Sequence, residues 1–192
     1  MSIKDLVYKN RTYRRFDQSH KIEMSVLEEL VDLARVTSSG GNIQAIKFIL
    51  VTDEEMCQTV NDHIVWAGAL PQWPGPDEGE KPTAYIIPLR DESISKNTLW
   101  DLGLATQAIL LGAVEKGLGA CQFGSVKYAD LTKVLELPEN LVITSVLALG
   151  KPVEEVVLVD VPESGKMAYY RDENMVHYVP KRTMEDVVLK KF

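Results

Sequence analysis

The stretch from Leu99 to Lys116 constrains the fold most. Placed on a helix, its Leu102, Leu104, Ile109, Leu110, Leu111 and Val114 reach nearly every face, and a helix apolar all round has to be enclosed. Asp101, Gln107 and Glu115 interrupt it too often for a bilayer span. Gly103, Ala105, Gly112 and Ala113 allow another helix to approach closely, from this chain or from a second subunit. Gly117 is a natural stop, because the residue past a helix end commonly takes a left-handed conformation open to glycine.

With 192 residues, 45% of them hydrophobic, the chain can bury one sizeable core, and a single domain over 1–192 is expected. Ser2 can cap a short helix from Ile3 to Lys9, and Val26, Leu27, Leu30, Val31 and Ala34 give helical spacing between Met24 and Val36. A strand is predicted from Phe48 to Thr52, then a helix from Glu54 to Trp66 capped by Asp53. Pro71, Pro74, Pro76 and Pro82 frame an acidic loop, Asp77 to Glu80, of a length that suits a lid or a binding rim. Trp66 and Trp73 near its start read as core and loop anchors, and as rim candidates should the substrate be a flat aromatic. Further strands are expected at Thr83–Leu89, Ala120–Gly124 and Leu141–Leu149, with a helix from Tyr128 to Leu135. The tail from Val156 reads as loop-rich, with a short helix beginning near Thr183.

Charge narrows the function. The net charge is -7 and the pI about 5.1, which argues against a nucleic-acid-binding face. Yet Lys9, Arg11, Arg14 and Arg15 crowd together. Arg11, Thr12 and Arg14 offer two guanidinium forks and a hydroxyl, the donors a phosphate needs. The plain alternative is a solvated basic turn. A second pair, Lys181-Arg182, precedes the expected helix at Thr183, again an arrangement suited to an anion. The loop Thr37 to Gln44 is rich in glycine, hydroxyls and amides: either an ordinary polar loop, or a surface where backbone amides meet a flat polar ligand beside Asn42 and Gln44.

Several chemistries find no support. Cys57 and Cys121 are too few for a disulfide framework, and His20, His63 and His177 show no metal-ligand spacing. The glycines from 117 to 124 follow a helix and precede a strand, the reverse of a dinucleotide fingerprint. No nucleophile elbow, phosphate-binding loop or kinase signature occurs. The opening residues carry no apolar signal region, which points to the cytoplasm, with no membrane partner. What remains is two basic clusters and a small-residue loop, as in a protein that leaves its chemistry to a bound cofactor.

In order and spacing these stretches resemble the FMN-binding nitroreductase family: Asn-Arg-Thr-Tyr-Arg-Arg-Phe at 10–16, Ser-Ser-Gly-Gly-Asn-Ile-Gln at 38–44, the run 101–120, Gly150-Lys-Pro, and Pro180-Lys-Arg. Thr12 stands where the family usually has serine, and Ala45 where it has proline. The resemblance implies an α+β fold, a central mixed, mainly antiparallel sheet sandwiched by helices, in an intertwined homodimer with FMN at the interface. It places Arg11, Thr12, Tyr13 and Arg14, with Lys181 and Arg182, around the phosphate and ribityl chain. Ser38, Ser39, Asn42 and Gln44 would approach the flavin, often from the partner subunit. Gln122, Phe123, Gly124 and Ser125 would pack near the ring.

The implied activity is ping-pong. NADH or NADPH gives hydride to flavin N5 and is replaced by a nitroaromatic, quinone or related acceptor; no side chain is assigned a catalytic role and no metal is implied. Two other readings are a dehalogenase-like or flavin-consuming member of the family, and a flavin-binding or storage protein without turnover.

Overall fold

The computed structural model describes residues 1–192. Six strands pair antiparallel in one sheet: β1 (Phe16–Asp17), β2 (Ile46–Val51), β3 (Ala84–Asp91), β4 (Gly119–Phe123), β5 (Leu141–Ile143) and β6 (Val146–Pro152). Strands β1, β6, β3 and β2 lie side by side in that order, with β4 paired to β6 and β5 to β3. β3 is buried from Ala84 to Leu89, so both its faces are covered, and its side chains alternate between two layers. Ala84 and Ile86 join Leu27, Leu30, Ile109, Leu147 and Leu149 under helices α2 (Met24–Arg35) and α4 (Leu99–Glu115). Tyr85 turns the other way, its hydroxyl 3.3 Å from Asn61 Oδ1 on α3 (Glu54–Asp62). The sheet thus has helices on both faces, the mainly antiparallel α+β sandwich expected.

Two boundaries and the enclosure of one helix differ from the sequence reading. The expected strand 141–149 is two strands, because β3 carries Pro88. Lacking an N–H, Pro88 cannot continue the ladder; its carbonyl accepts from both the N–H (3.0 Å) and the hydroxyl (2.8 Å) of Thr144. Leu89 faces Ile143 but Ile86 faces Leu147, so one extra residue bulges out between them. Helix α3 stops at Asp62 rather than Trp66, because Ile64 and Val65 pair instead with the segment after β4: Val65 N–H donates to Ser125 O at 2.9 Å. Helix α4 is not enclosed all round within one chain: Leu99 and Trp100 are more than 70% exposed, and Leu104 is exposed beside them.

Residues 67–74 and 154–192 group into a second compact unit, apart from the first made of 1–66 and 75–153. Where a loop-rich tail was expected, β7 (Val156–Asp160) runs parallel to β9 (His177–Lys181), and β8 (Tyr170–Arg171) adds antiparallel to β9. Arg171 organises this unit. Its Nη2 lies 2.9 Å from Glu154 Oε2, both side chains almost fully buried. Its Nε donates to His177 Nδ1 at 3.3 Å, and the guanidinium sits 4.1 Å from the centre of the Trp73 ring. The Tyr169 hydroxyl accepts from Ala69 N–H at 3.3 Å. Thr183 caps a short helix, Met184–Val187. No helix of the protein is long and apolar enough to cross a membrane.

Candidate functional site

The basic stretch leaves α1 (Ile3–Lys9) in extended conformation at Asn10. Thr12 then bridges Ala120 at the start of β4, and Tyr13 N–H donates to the Ala120 carbonyl at 3.1 Å. Gly119 makes this approach possible: a Cβ there would stand 2.5 Å from the Tyr13 ring, closer than side-chain packing permits. Arg11 gives Nη2 to the Val7 carbonyl at 2.8 Å, while its buried Nε has no partner. Burial pushes the Arg11 guanidinium below its ordinary pKa. A half-buried cation with an unsatisfied donor is costly alone, and an anion beside it supplies both missing terms. Arg14 is buried, with Nη1 3.5 Å from the Thr12 carbonyl. Arg15 is committed elsewhere, in a bidentate pair with Glu80 at 2.6 Å on each branch.

β4 carries the next group beside the basic stretch. Gln122 Nε2 donates to Ser145 Oγ at 3.2 Å. Phe123 is buried edge-on against Trp66, ring centres 4.7 Å apart, which makes Trp66 an anchor of the first unit. The Gly124 carbonyl accepts from the Tyr128 hydroxyl at 2.9 Å, so the 122–125 turn is fixed while Gly124 and Ser125 stay exposed.

The 38–44 loop is held at a different place. Asp101, buried in the first turn of α4, accepts from Ser39 Oγ at 2.6 Å and from Gly40 N–H at 2.9 Å. Ser39 Oγ in turn accepts from Gln44 N–H at 2.9 Å. Gly41, Asn42 and Gln44 all have φ near +56°, left-handed positions on either side of the right-handed Ile43, which non-glycine residues hold only under constraint. Ser38, Ser39 and Gln44 rim a cavity of about 350 Å³ floored by Phe48, Leu50 and Ala105. A larger groove of about 620 Å³ mixes Lys21 and Lys81 with Asp53, Glu54 and Glu78 and takes in none of the expected site residues.

The expected residues therefore fall into separate groups. Arg11 to Arg14 lie against the start of β4, just past the C-terminal end of α4, and Gln122 to Ser125 lie at the far end of that strand. The loop 38–44 is anchored at the other end of that helix, about 20 Å away at 1.5 Å per residue. Lys181 and Arg182 lie exposed at the end of β9, and Trp73 lies under Arg171, both in the second unit. The part of Asp101 in this arrangement escaped the sequence reading, which took it only as a charge excluding a membrane span. The available signal was a lone carboxylate in the first turn of an otherwise apolar helix.

A sequence model of the nitroreductase family matches residues 7–151. The chain belongs to the nitroreductase family. Among curated relatives, a protein of Archaeoglobus fulgidus provisionally named NADH dehydrogenase/NAD(P)H nitroreductase is 29% identical over 78% of this chain and 85% of its own. The iodotyrosine deiodinase of Thermotoga neapolitana is 26% identical over 91% of this chain and 96% of its own. Among solved structures, a provisionally named nitroreductase from Desulfovibrio desulfuricans, crystallised in complex with FMN, superposes with a TM-score of 0.72 at 19% identity, covering 100% of this chain and 97% of that one. This nitroreductase-family chain shares the fold of that structure over its whole length.

Proposed function

We propose that this chain binds FMN and works as an oxidoreductase, taking electrons from NADH or NADPH and passing them to a small acceptor such as a nitroaromatic or a quinone. The observation that carries the reading is the buried Arg11 Nε without a partner, in a family with an FMN-bound relative of the same fold. FMN held there would supply the redox chemistry, hydride transfer through N5. The chain's own residues bind and orient. Arg11, Thr12 and Arg14 receive the phosphate. The turn Gln122 to Ser125 would pack near the ring, with Asn42 and Gln44 offering polar contacts from the 38–44 loop.

Because the loop and the basic stretch sit at opposite ends of α4, we assign them to opposite copies in a homodimer. The exposed Leu99, Trp100 and Leu104 on α4 form the apolar face on which the copies meet.

The deiodinase relative, matched over 91% of this chain, favours a second reading in which the acceptor is a halogenated phenol and the product includes halide. Absorbance of the freshly purified protein tests the proposal, followed by anaerobic NADH and NADPH and then by acceptors. A flavin spectrum that bleaches, and recovers with a nitroaromatic or quinone, is expected; recovery only with a halophenol, with halide released, favours the second reading. Flavin that does not bleach means binding without turnover. A colourless protein that takes up no added FMN overturns the proposal.

A further inference from the structure

We propose that Asp101 is a positioning residue, holding the 39–44 loop in the left-handed shape that presents Asn42 and Gln44 to FMN, and that Ser39 is a brace in this device rather than a ligand contact. The inference rests on the FMN reading above. A serine hydroxyl has one proton to give, and that of Ser39 goes to Asp101 Oδ2 at 2.6 Å while its oxygen receives Gln44 N–H at 2.9 Å. The second carboxylate oxygen takes Gly40 N–H at 2.9 Å. Two ends of a six-residue turn are thereby tied to one buried side chain on a rigid helix, and between them Gly41, Asn42 and Gln44 are forced to positive φ. Asn tolerates that region and Gln does so poorly, so Gln44 keeps its conformation only while its N–H is held. Thr98, the residue before the helix, makes no side-chain cap; the carboxylate of Asp101 is the acidic group in the first turn, where the helix dipole favours it.

Two kinds of measurement, on Asp101→Ala, Asp101→Asn, Ser39→Ala and the Ser39→Ala/Asp101→Ala pair, test this. One is amide exchange at Gly40 and Gln44 in the FMN-free protein; the other is the FMN dissociation constant and visible spectrum of the reloaded protein. Asp101→Ala is expected to speed both amides and to weaken FMN roughly tenfold to a hundredfold, with a shifted flavin band. Ser39→Ala should reproduce the Gln44 effect, the pair should lose less than the sum of the singles, and Asp101→Asn should recover part of the loss. If Asp101→Ala is too unstable to purify, Ser39→Ala alone decides, since it leaves the carboxylate and Gly40 in place. Wild-type FMN affinity and spectrum in Ser39→Ala and Asp101→Asn, with the wild-type protein binding FMN normally, overturn this inference alone. A wild-type protein that binds no FMN overturns the functional reading and this inference with it.

Discussion

Replacing Glu154 by Gln removes the charge against which Arg171 is buried, with almost no change in shape. The two side chains are 0% and 7% exposed, so water offers little compensation. Removing one partner of such a pair typically costs about 3–5 kcal/mol, because the other charge is left in a poor dielectric. Gln keeps an acceptor oxygen for Arg171, which places the effect at about 3 kcal/mol, roughly a hundredfold in an opening equilibrium. That is less than the stability of an ordinary domain, about 5–15 kcal/mol, so the protein stays folded and the second unit opens more often. Amide exchange read by mass spectrometry should show peptides from 67–74 and 154–181 exchanging about a hundredfold faster. Peptides from α2 and β3, in the first unit, should keep their rates. Asp32→Asn, which breaks the exposed pair with Arg35 (side chains 62% and 66% exposed), is the control and should leave all rates alike. Exchange in both segments within twofold of wild type would refute the reasoning, since the attraction would then merely balance the desolvation. The matched swap Glu154→Leu with Arg171→Met should be neutral or stabilising.

The other predictions are shorter. Arg11→Gln should weaken FMN about tenfold or more, the worth of a charged hydrogen bond, with Arg11→Lys recovering only part; equal affinities by fluorescence titration would remove Arg11 from the phosphate site. Gly119→Ala should lift Tyr13 off β4, lowering stability by about 1–3 kcal/mol and loosening FMN, as read by thermal melting and flavin content. Burial pushes the Cys57 thiol up to about 11, so at pH 8 about 0.1% is thiolate. In a Cys121→Ala background its alkylation rate should rise tenfold per pH unit through pH 9 without levelling; a plateau near pH 9 would contradict the burial.

Much of the first unit could be read from the chain because its signals are local. The period of Val26, Leu27, Leu30, Val31 and Ala34 and the stop at Gly117, at φ +75°, needed no partners to interpret. The break between β5 and β6 was illegible within 141–149 itself, for its cause is Pro88, on a neighbouring strand. The second unit was missed for a related reason: β7 and β9 are parallel and their pairing depends on a long connection, which leaves no alternation to count in a hairpin. At the site, the basic stretch and the glycine loop were visible as composition. Composition does not distinguish a hydroxyl whose proton is already placed from one that is available; that of Ser39, expected to approach the flavin, donates to Asp101. The exposed Leu99, Trp100 and Leu104 show the limit of reading a helix as enclosed, since pattern tells how much surface wants cover and not which chain covers it.

The pairing of residues 67–74 with the last strands also sets an order of events during synthesis. Ala69 meets Tyr169 across 100 residues of sequence, and Trp73 lies under Arg171. At about 5–20 residues per second, the ribosome must work for roughly 5–20 s after making Trp73 before it delivers the residue Trp73 packs beneath. Throughout that interval the tryptophan and its proline-rich neighbours wait in the nascent chain for their partner, while β3 to β6 of the first unit are still being made.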